Sequence, residues 1–380
     1  MNKIKILSII DSLSLRDGGP SHSLIDMALA NKANDIQHDI LYIGDKEKIS
    51  INKEIKIISL EDSKFKYGFS IKLILWLLNH KNSYNLFIIH GIWQFITLIS
   101  RMIIPNKYLV FTHGMLDPYF GKENFKTIKK KIYWNLFERK NLLMAKYVLL
   151  NSAKELTQLN KTFVNTKGIK YKLVNYGLFP RKIDFNKCEK KFSKKFNFIN
   201  RKRFILFIGR IHPKKGCFLM VKAFAKIKNI NNFKLLIAGD TNNLYAKEIK
   251  NFIIKKKLHD KVYFLNFLKD EIKWGAIRKA KYTILPSHGD NFGVSIVESL
   301  FAGTPVICSN KVGISDIIRQ NNAGIIISDN INSIKLAIEK VVNINQKKSD
   351  LQSSNSIKCF NNNFNLKKNH SFSNWLKEIL

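Results

Sequence analysis

The chain has 380 residues, 45% hydrophobic and 24% charged, without a Ser/Gly/Pro tract or an internal repeat, which argues against disorder and solenoids and points to two domains. Its formal charge of +37 suits an anionic substrate, an anionic membrane surface or nucleic acid, although lysines scattered along the chain also fit a plain solvated basic face. Cys188, Cys217, Cys308 and Cys359 form no CxxC pair and no short Cys/His spacing, which argues against zinc and disulfide frameworks and fits a reducing cytoplasm.

The opening MNKIKILSIIDSLSL reads as a first strand, since Asp11 cuts its apolar run and no small-residue cleavage site follows. In the next stretch, RDGGPSHSLIDMALA, Gly18 and Gly19 allow a tight turn and Pro20 suits a first helical position, so the helix N-terminus can receive an anion. A plain strand-to-helix turn is the alternative. The spacing is neither GxGxxG nor a Walker A loop, which argues against nicotinamide cofactors and ATP hydrolysis.

The strand-like runs HDILYIG, EIKIISL, NLFIIHG, YLVFTHG, KYVLLNS and YKLVNYG follow, alternating with helical segments. The apolar stretch from Phe87 to Pro105 contains His90, Gln94 and Arg101, so strand plus helix is expected rather than a membrane span. His113, in FTHGMLDP at the end of a strand, can donate a hydrogen bond or supply positive charge to a ligand, and His90 occupies a comparable place. Downstream, Phe125, Ile128, Ile132, Leu136 and Leu143 form a helical stripe, with Lys126, Lys129, Lys130, Arg139 and Lys140 on other faces. Together with Tyr133 and Trp134 this suits contact with anionic lipid headgroups, the alternative being a core-packed helix with a solvated face.

From Leu178 to Arg203 the chain is charged and shows no clear period, so it reads as a linker. Six more strand-like runs follow: RFILFIG, KLLIAGD, KVYFLNF, KYTILPS, TPVICSN and AGIIIS. The expected fold is therefore α/β, with two Rossmann-like doubly wound domains over residues 1–178 and 179–360, and a closing helix in 361–380 with Phe372, Trp375, Leu376 and Ile379 as apolar contacts. In such sheets ligands bind beyond the C-terminal strand ends, so the expected site is a cleft between the two domains.

Two segments of the second half carry the strongest chemistry. In RFILFIGRIHPKKG, Arg210 and Lys215 stand before Gly216 and a helix start, a pairing that suits a diphosphate. In SHGDNFGVSIVESLFAGTP, a helix is expected from near Phe292 or Gly293 to just before Gly303, with Asp290 at its entrance and Glu298 within it. Glu298 has no basic residue three or four positions away, so a ligand hydroxyl is the expected partner, while Asp290 either caps the helix or holds another hydroxyl. The backbone N–H groups of Asn291, Phe292 and Gly293 are candidates to receive a phosphate or sugar oxygen.

The segments GGPSHSL, HGMLDP, GRIHPKKG and SHGDNFGVSIVESLFAGTPVI together resemble the family 4 glycosyltransferases, retaining enzymes of the GT-B fold, and particularly bacterial members that build capsule, exopolysaccharide or lipopolysaccharide. The resemblance implies a nucleoside-diphosphate-sugar donor as co-substrate, no further cofactor or metal, and a glycan or lipid-linked glycan acceptor. It implies that Arg210 and Lys215 neutralise the diphosphate, Glu298 binds the ribose, His113 lies near the transferred sugar and Gly19 approaches the donor phosphates. It further implies that the closing helix crosses back to the first domain, and that the enzyme sits in the cytoplasm, peripherally on the inner face of the membrane. The family's usual Glu, seven residues, Glu pattern is departed from at Asp290, whose side chain is one methylene shorter. A nucleotide-sugar epimerase, a phosphorylase of similar architecture and a basic nucleic-acid-binding protein are the competing readings, the last disfavoured because no recognised module is present.

Overall fold

The computed structural model describes residues 3–14, 19–44, 55–61, 67–116, 125–152, 154–157, 165–174, 176–199, 203–228, 230 and 233–380. It divides into two compact units, Met1–Phe179 with Leu366–Leu380, and Pro180–Asn365. Gly18 lies outside the described residues, as do the side chains of Phe125 and Lys126.

The first unit contains a parallel sheet of seven strands: β1 Lys5–Ile10, β2 Gln37–Tyr42, β3 Ile57–Ser59, β4 Leu86–His90, β5 Tyr108–Phe111, β6 Tyr147–Leu150 and β7 Tyr171–Leu173, in the order β3-β2-β1-β4-β5-β6-β7. The second contains six: β8 Arg203–Ile208, β9 Phe233–Ala238, β10 Val262–Asn266, β11 Tyr282–Leu285, β12 Val306–Ser309 and β13 Gly324–Ile327, in the order β10-β9-β8-β11-β12-β13. The central strands are buried along their whole length, as in β4 and β9, which is why they read as continuous apolar runs rather than alternating ones. Strand order reverses between β1 and β4 in one sheet and between β8 and β11 in the other. In open sheets of this kind, ligands bind outside the C-terminal strand ends at such a reversal.

The expected linker is a folded part of the second unit. Asp184 accepts a hydrogen bond from the Lys187 N–H and caps a helix over Phe185–Lys195, which packs against the helix Asp270–Lys279. The approach is so close that a Cβ on Gly275 would lie 2.1 Å from the Cys188 carbonyl oxygen. Phe185, Cys188 and Phe192 recur every three or four residues and face this contact, so a helical period was present beneath the lysines.

The basic helix also departs from expectation. A helix over Phe125–Tyr133 passes through a π-helical segment, Trp134–Glu138, into a further helix, Arg139–Leu143. Trp134, Glu138, Asn141 and Leu142 are buried, whereas Ile128, Ile132 and Leu136 are 60%, 55% and 56% exposed. Trp134 thus belongs to the core and cannot meet a lipid headgroup, while the aliphatic stripe stands in solvent beside the exposed Lys129, Lys131 and Lys140.

At the C-terminus a helix over Gln346–Asn363 is followed by one over Ser371–Ile379, which belongs to the first unit. Leu376 is fully buried there, Trp375 meets Tyr147 edge-on at 5.2 Å, and Lys172 lies 5.1 Å over the same indole. Among the described residues no helix is long and apolar enough to cross a membrane.

Candidate functional site

The loops after β8 and β11 emerge from neighbouring strands at the reversal of the second sheet. The β8 loop carries Arg210, exposed, and a single 3-10 turn, Pro213–Lys215, capped by the His212 side chain. Gly216 closes that turn with φ 70°, and a Cβ there would sit 2.0 Å from the Pro286 carbonyl oxygen, so only glycine lets the two loops touch. The β11 loop is locked against it: the His288 N–H and the Ser287 hydroxyl both donate to the Lys214 carbonyl, at 2.8 Å each.

This contact brings Lys215 onto Asp290, with the Lys215 ammonium paired to Asp290 Oδ2. The other carboxylate oxygen accepts from the Gly293 N–H at 3.1 Å. Burial pushes the Asp290 carboxyl up, but Lys215, Lys214 and the Gly293 N–H outweigh it and hold the carboxyl below its ordinary value. Partial burial, then the charges of Arg210, Lys215 and Lys214, lower the His212 imidazole. Cations therefore converge here around one anchored carboxylate.

The helix begins at Val294, with Gly293 as its left-handed cap residue at φ 78°. This corrects two expectations. Asp290 lies three residues before that cap and bonds the loop rather than capping the helix. The Gly293 N–H is already engaged by Asp290, so it is not an open donor; helix geometry instead leaves the N–H groups of Val294 and Ser295 without intrahelical acceptors. Phe292 is buried and stacks edge-on with Phe364 at 5.9 Å, which fixes the loop. The Asn291 side-chain nitrogen is buried without a hydrogen-bond partner among the described residues.

Glu298, only 7% exposed, has a cationic partner that its own helix does not supply: Lys273 Nζ donates to Glu298 Oε1 at 2.7 Å. Lys273 comes from the helix Asp270–Lys279 and also lies 4.7 Å over the Trp274 ring. The expectation that a ligand hydroxyl would be the partner of Glu298 therefore missed Lys273. Nothing in the local spacing marks that pair.

In the first unit, Gly19 opens the helix Gly19–Lys32 that follows β1, and His113 follows β5. His113 adopts φ 47°, an uncommon conformation for a non-glycine residue, and is held there by several contacts. Phe111 stacks on its ring at 4.6 Å, and His90 Nδ1 lies 2.8 Å from His113 Nε2. Buried Glu155, which sequence reasoning did not single out, accepts from the Thr112 hydroxyl and the Gly114 N–H on either side. Burial lowers the His113 imidazole to about 3, so it is neutral near pH 7 and does not supply the positive charge offered as one of its two roles. A hydrogen-bonding role remains.

Burial likewise lowers His38 to about 3 and His90 well below its ordinary value of 6.5. Below pH 6.5 the unfolded chain binds protons at these sites and the folded chain does not, so stability present above 6.5 is lost as pH falls toward about 3. Glu138 has the opposite sign: burial raises it from 4.5 to about 7, so its contribution is full below 4.5 and is lost as pH rises through about 7. In thermal denaturation the melting temperature is expected to rise between pH 4.5 and 6.5, three histidines outweighing one carboxyl, and Glu138→Gln to steepen that rise. A flat profile in both proteins would refute the assignment of neutral histidines.

The segment that carries this site is similar in sequence to known proteins. Residues 189–358 match the profile described as Glycosyl transferases group 1, a span that includes Arg210, Lys215, Asp290 and Glu298. The chain is 28% identical over 198 residues to the uncharacterized glycosyltransferase MJ1607 of Methanocaldococcus jannaschii, covering 51% of this chain and 50% of that protein. It is 25% identical over 252 residues to the N-acetylgalactosamine-N,N'-diacetylbacillosaminyl-diphospho-undecaprenol 4-alpha-N-acetylgalactosaminyltransferase of Campylobacter jejuni, covering 63% and 62%. The matches thus span about half to three-fifths of these relatives' own lengths. The crystal structure of Anabaena Alr3699/HepE in complex with UDP-glucose superposes with a TM-score of 0.75 at 17% identity, covering 99% of this chain and all of that one. The fold is the GT-B fold of glycosyltransferases, and its second unit carries the match to Glycosyl transferases group 1.

Proposed function

We propose that the protein is a retaining glycosyltransferase that moves a sugar from a nucleoside diphosphate to a growing polysaccharide or lipid-linked glycan, in the assembly of a capsule, exopolysaccharide or lipopolysaccharide. The observation that carries this reading is the Lys215–Asp290 pair at the strand reversal, beside Arg210 and a helix start, inside the segment that matches the glycosyltransferase profile. As the anomeric bond breaks, negative charge grows on the leaving diphosphate. Lys215, Arg210 and the first N–H groups of the helix Val294–Phe301 stabilise that charge. Asp290 holds Lys215 in place, and each of its oxygens keeps a further lone pair for a sugar hydroxyl. Glu298, steadied by Lys273, receives the ribose hydroxyls. Gly19, and Gly18 outside the described residues, remain the approach to the donor phosphates in this reading.

The UDP-glucose in the HepE structure and the diphospho-undecaprenol in the name of the Campylobacter relative support a nucleotide-sugar donor and a lipid-linked acceptor. The test is to incubate the purified chain with UDP- and GDP-sugars and undecaprenyl-diphosphate glycans, and to read product and anomeric configuration by NMR. Transfer with retention supports the proposal. Altered sugar nucleotide without acceptor would establish the epimerase reading instead, and dependence on inorganic phosphate a phosphorylase.

Peripheral membrane binding belongs to the same proposal, supported by the exposed Ile128, Ile132 and Leu136 beside Lys129 and Lys131. The chain is expected to sediment with phosphatidylglycerol vesicles at low salt, and the double variant Lys129→Glu, Lys131→Glu to lose roughly 10-fold or more in partitioning. Equal sedimentation of both proteins would remove this surface from the proposal.

A further inference from the structure

Behind His113 runs an unbroken line of hydrogen bonds through the core of the first unit. Ser373, on the helix Ser371–Ile379, donates its hydroxyl proton to Asn31 Oδ1 at 2.8 Å. Asn31 Nδ2 lies 2.8 Å from His38 Nδ1, and His38 Nε2 lies 2.8 Å from Ser8 Oγ. Ser8 Oγ lies 2.9 Å from His90 Nε2, and His90 Nδ1 lies 2.8 Å from His113 Nε2. Ser8, His38, His90, Asn31 and Ser373 are all buried, between 0% and 4% exposed. Polar groups in such a place are held by their mutual hydrogen bonds.

With the Asn31 amide oriented so that Oδ1 faces Ser373 and Nδ2 faces His38, the line runs in one direction. The Asn31 amide nitrogen only donates, so His38 Nδ1 accepts and, in a neutral ring, the His38 proton sits on Nε2. His38 Nε2–H then donates to Ser8 Oγ, and the Ser8 hydroxyl donates onward to His90 Nε2. The His90 proton is therefore on Nδ1 and is donated to His113 Nε2. His113 in turn carries its own proton on Nδ1, a nitrogen in no hydrogen bond among the described residues.

We propose that this relay is a positioning device: Asn31, buried and four hydrogen bonds away, sets the tautomer of His113, so that His113 presents Nδ1–H as a donor and not a lone pair. Ser8, His38 and His90 transmit the setting, and Ser373 orients the Asn31 amide from the closing helix. Resting on the function proposed above, His113 then donates a hydrogen bond to an oxygen of the sugar donor or acceptor, and is neither a general base at Nδ1 nor a cation. The first unit thereby links the docking of the C-terminal helix to the chemistry at the end of β5.

The test reads protonation directly, by long-range proton–nitrogen NMR of the full chain labelled with 15N-histidine. In the wild-type protein His38 is expected to be protonated on Nε2, and His90 and His113 on Nδ1; a His113 protonated on Nε2 overturns the proposal without any variant. Asn31→Asp replaces the donor by an acceptor while the Ser373 hydroxyl still donates to position 31, so every bond from position 31 to His113 reverses and His113 moves its proton to Nε2, with turnover falling roughly 10-fold or more. Unchanged His113 in that variant overturns the relay. In the double variant Asn31→Asp, Ser8→Ala, His38 is expected to switch and His113 not to follow; a His113 that still switches shows that the line is not the conduit. If the tautomers switch but no sugar transfer is found with any donor, the relay stands and the proposed function fails. If transfer occurs and His113 ignores Asn31, the function stands and the relay fails.

Discussion

Replacing Lys215 with Ala is expected to lower sugar transfer by about 100- to 1,000-fold, the range seen when one charge-stabilising donor is removed from a reaction centre. The same change leaves Asp290, whose side chain is 14% exposed, without its counter-charge, at a cost of about 1–3 kcal/mol in stability. The two effects separate in the double variant Lys215→Ala, Asp290→Asn, where the unpaired charge is gone. Thermal stability should largely return in that protein while turnover stays low. If turnover returned with stability, Lys215 would be a structural partner of Asp290 and no part of the diphosphate site.

Glu298→Gln is expected to raise the donor KM by roughly 10- to 100-fold with a much smaller change in kcat, because hydrogen bonds from ribose hydroxyls to a carboxylate contribute equally before and during the reaction. The variant strands the Lys273 ammonium, whose side chain is 15% exposed, so some loss of stability accompanies it. Adding Lys273→Met removes that charge and should restore the melting temperature, leaving the high KM behind. Kinetics of the two proteins across a donor concentration series decide the matter: an unchanged KM in Glu298→Gln would place Glu298 outside the nucleotide site.

Much of the site could be read in one dimension because it follows strand ends. Arg210 and Lys215 follow β8, and Asp290 follows β11, strands that are distant in sequence but adjacent in the sheet. What the chain order hid were the partners. Lys215 and Asp290 are 75 residues apart and Lys273 and Glu298 are 25 apart, so neither pair falls within the three- or four-residue reach of one helix. His38 and Glu155 gave no motif at all; each matters only because the fold brings His38 to His90 through Ser8, and Glu155 against the loop of His113.

Two helices show opposite failures of pattern reading. Between Leu178 and Arg203 the lysines masked a real stripe of Phe185, Cys188 and Phe192 that packs on a neighbouring helix. From Phe125 to Leu143 a clear stripe was present, yet Trp134 faces inward and Ile128, Ile132 and Leu136 stand in solvent. Period alone identifies a face. Which face is buried depends on what packs against the helix.

By itself, the sequence determined the class of fold, the thirteen strands among the described residues by their β-rich runs, and the residue types that stand at their ends. These follow from local rules, since a strand covered on both faces must be apolar throughout and a loop at its end is free to carry chemistry. Tertiary structure alone decided the state of those residues: that Asp290 is ionised against Lys215, that Glu298 is steadied by Lys273, and that His113 is neutral at the end of a buried line from Ser373. Charge state and hydrogen-bond direction depend on burial and on neighbours brought together across the sheet, and no spacing along the chain encodes them.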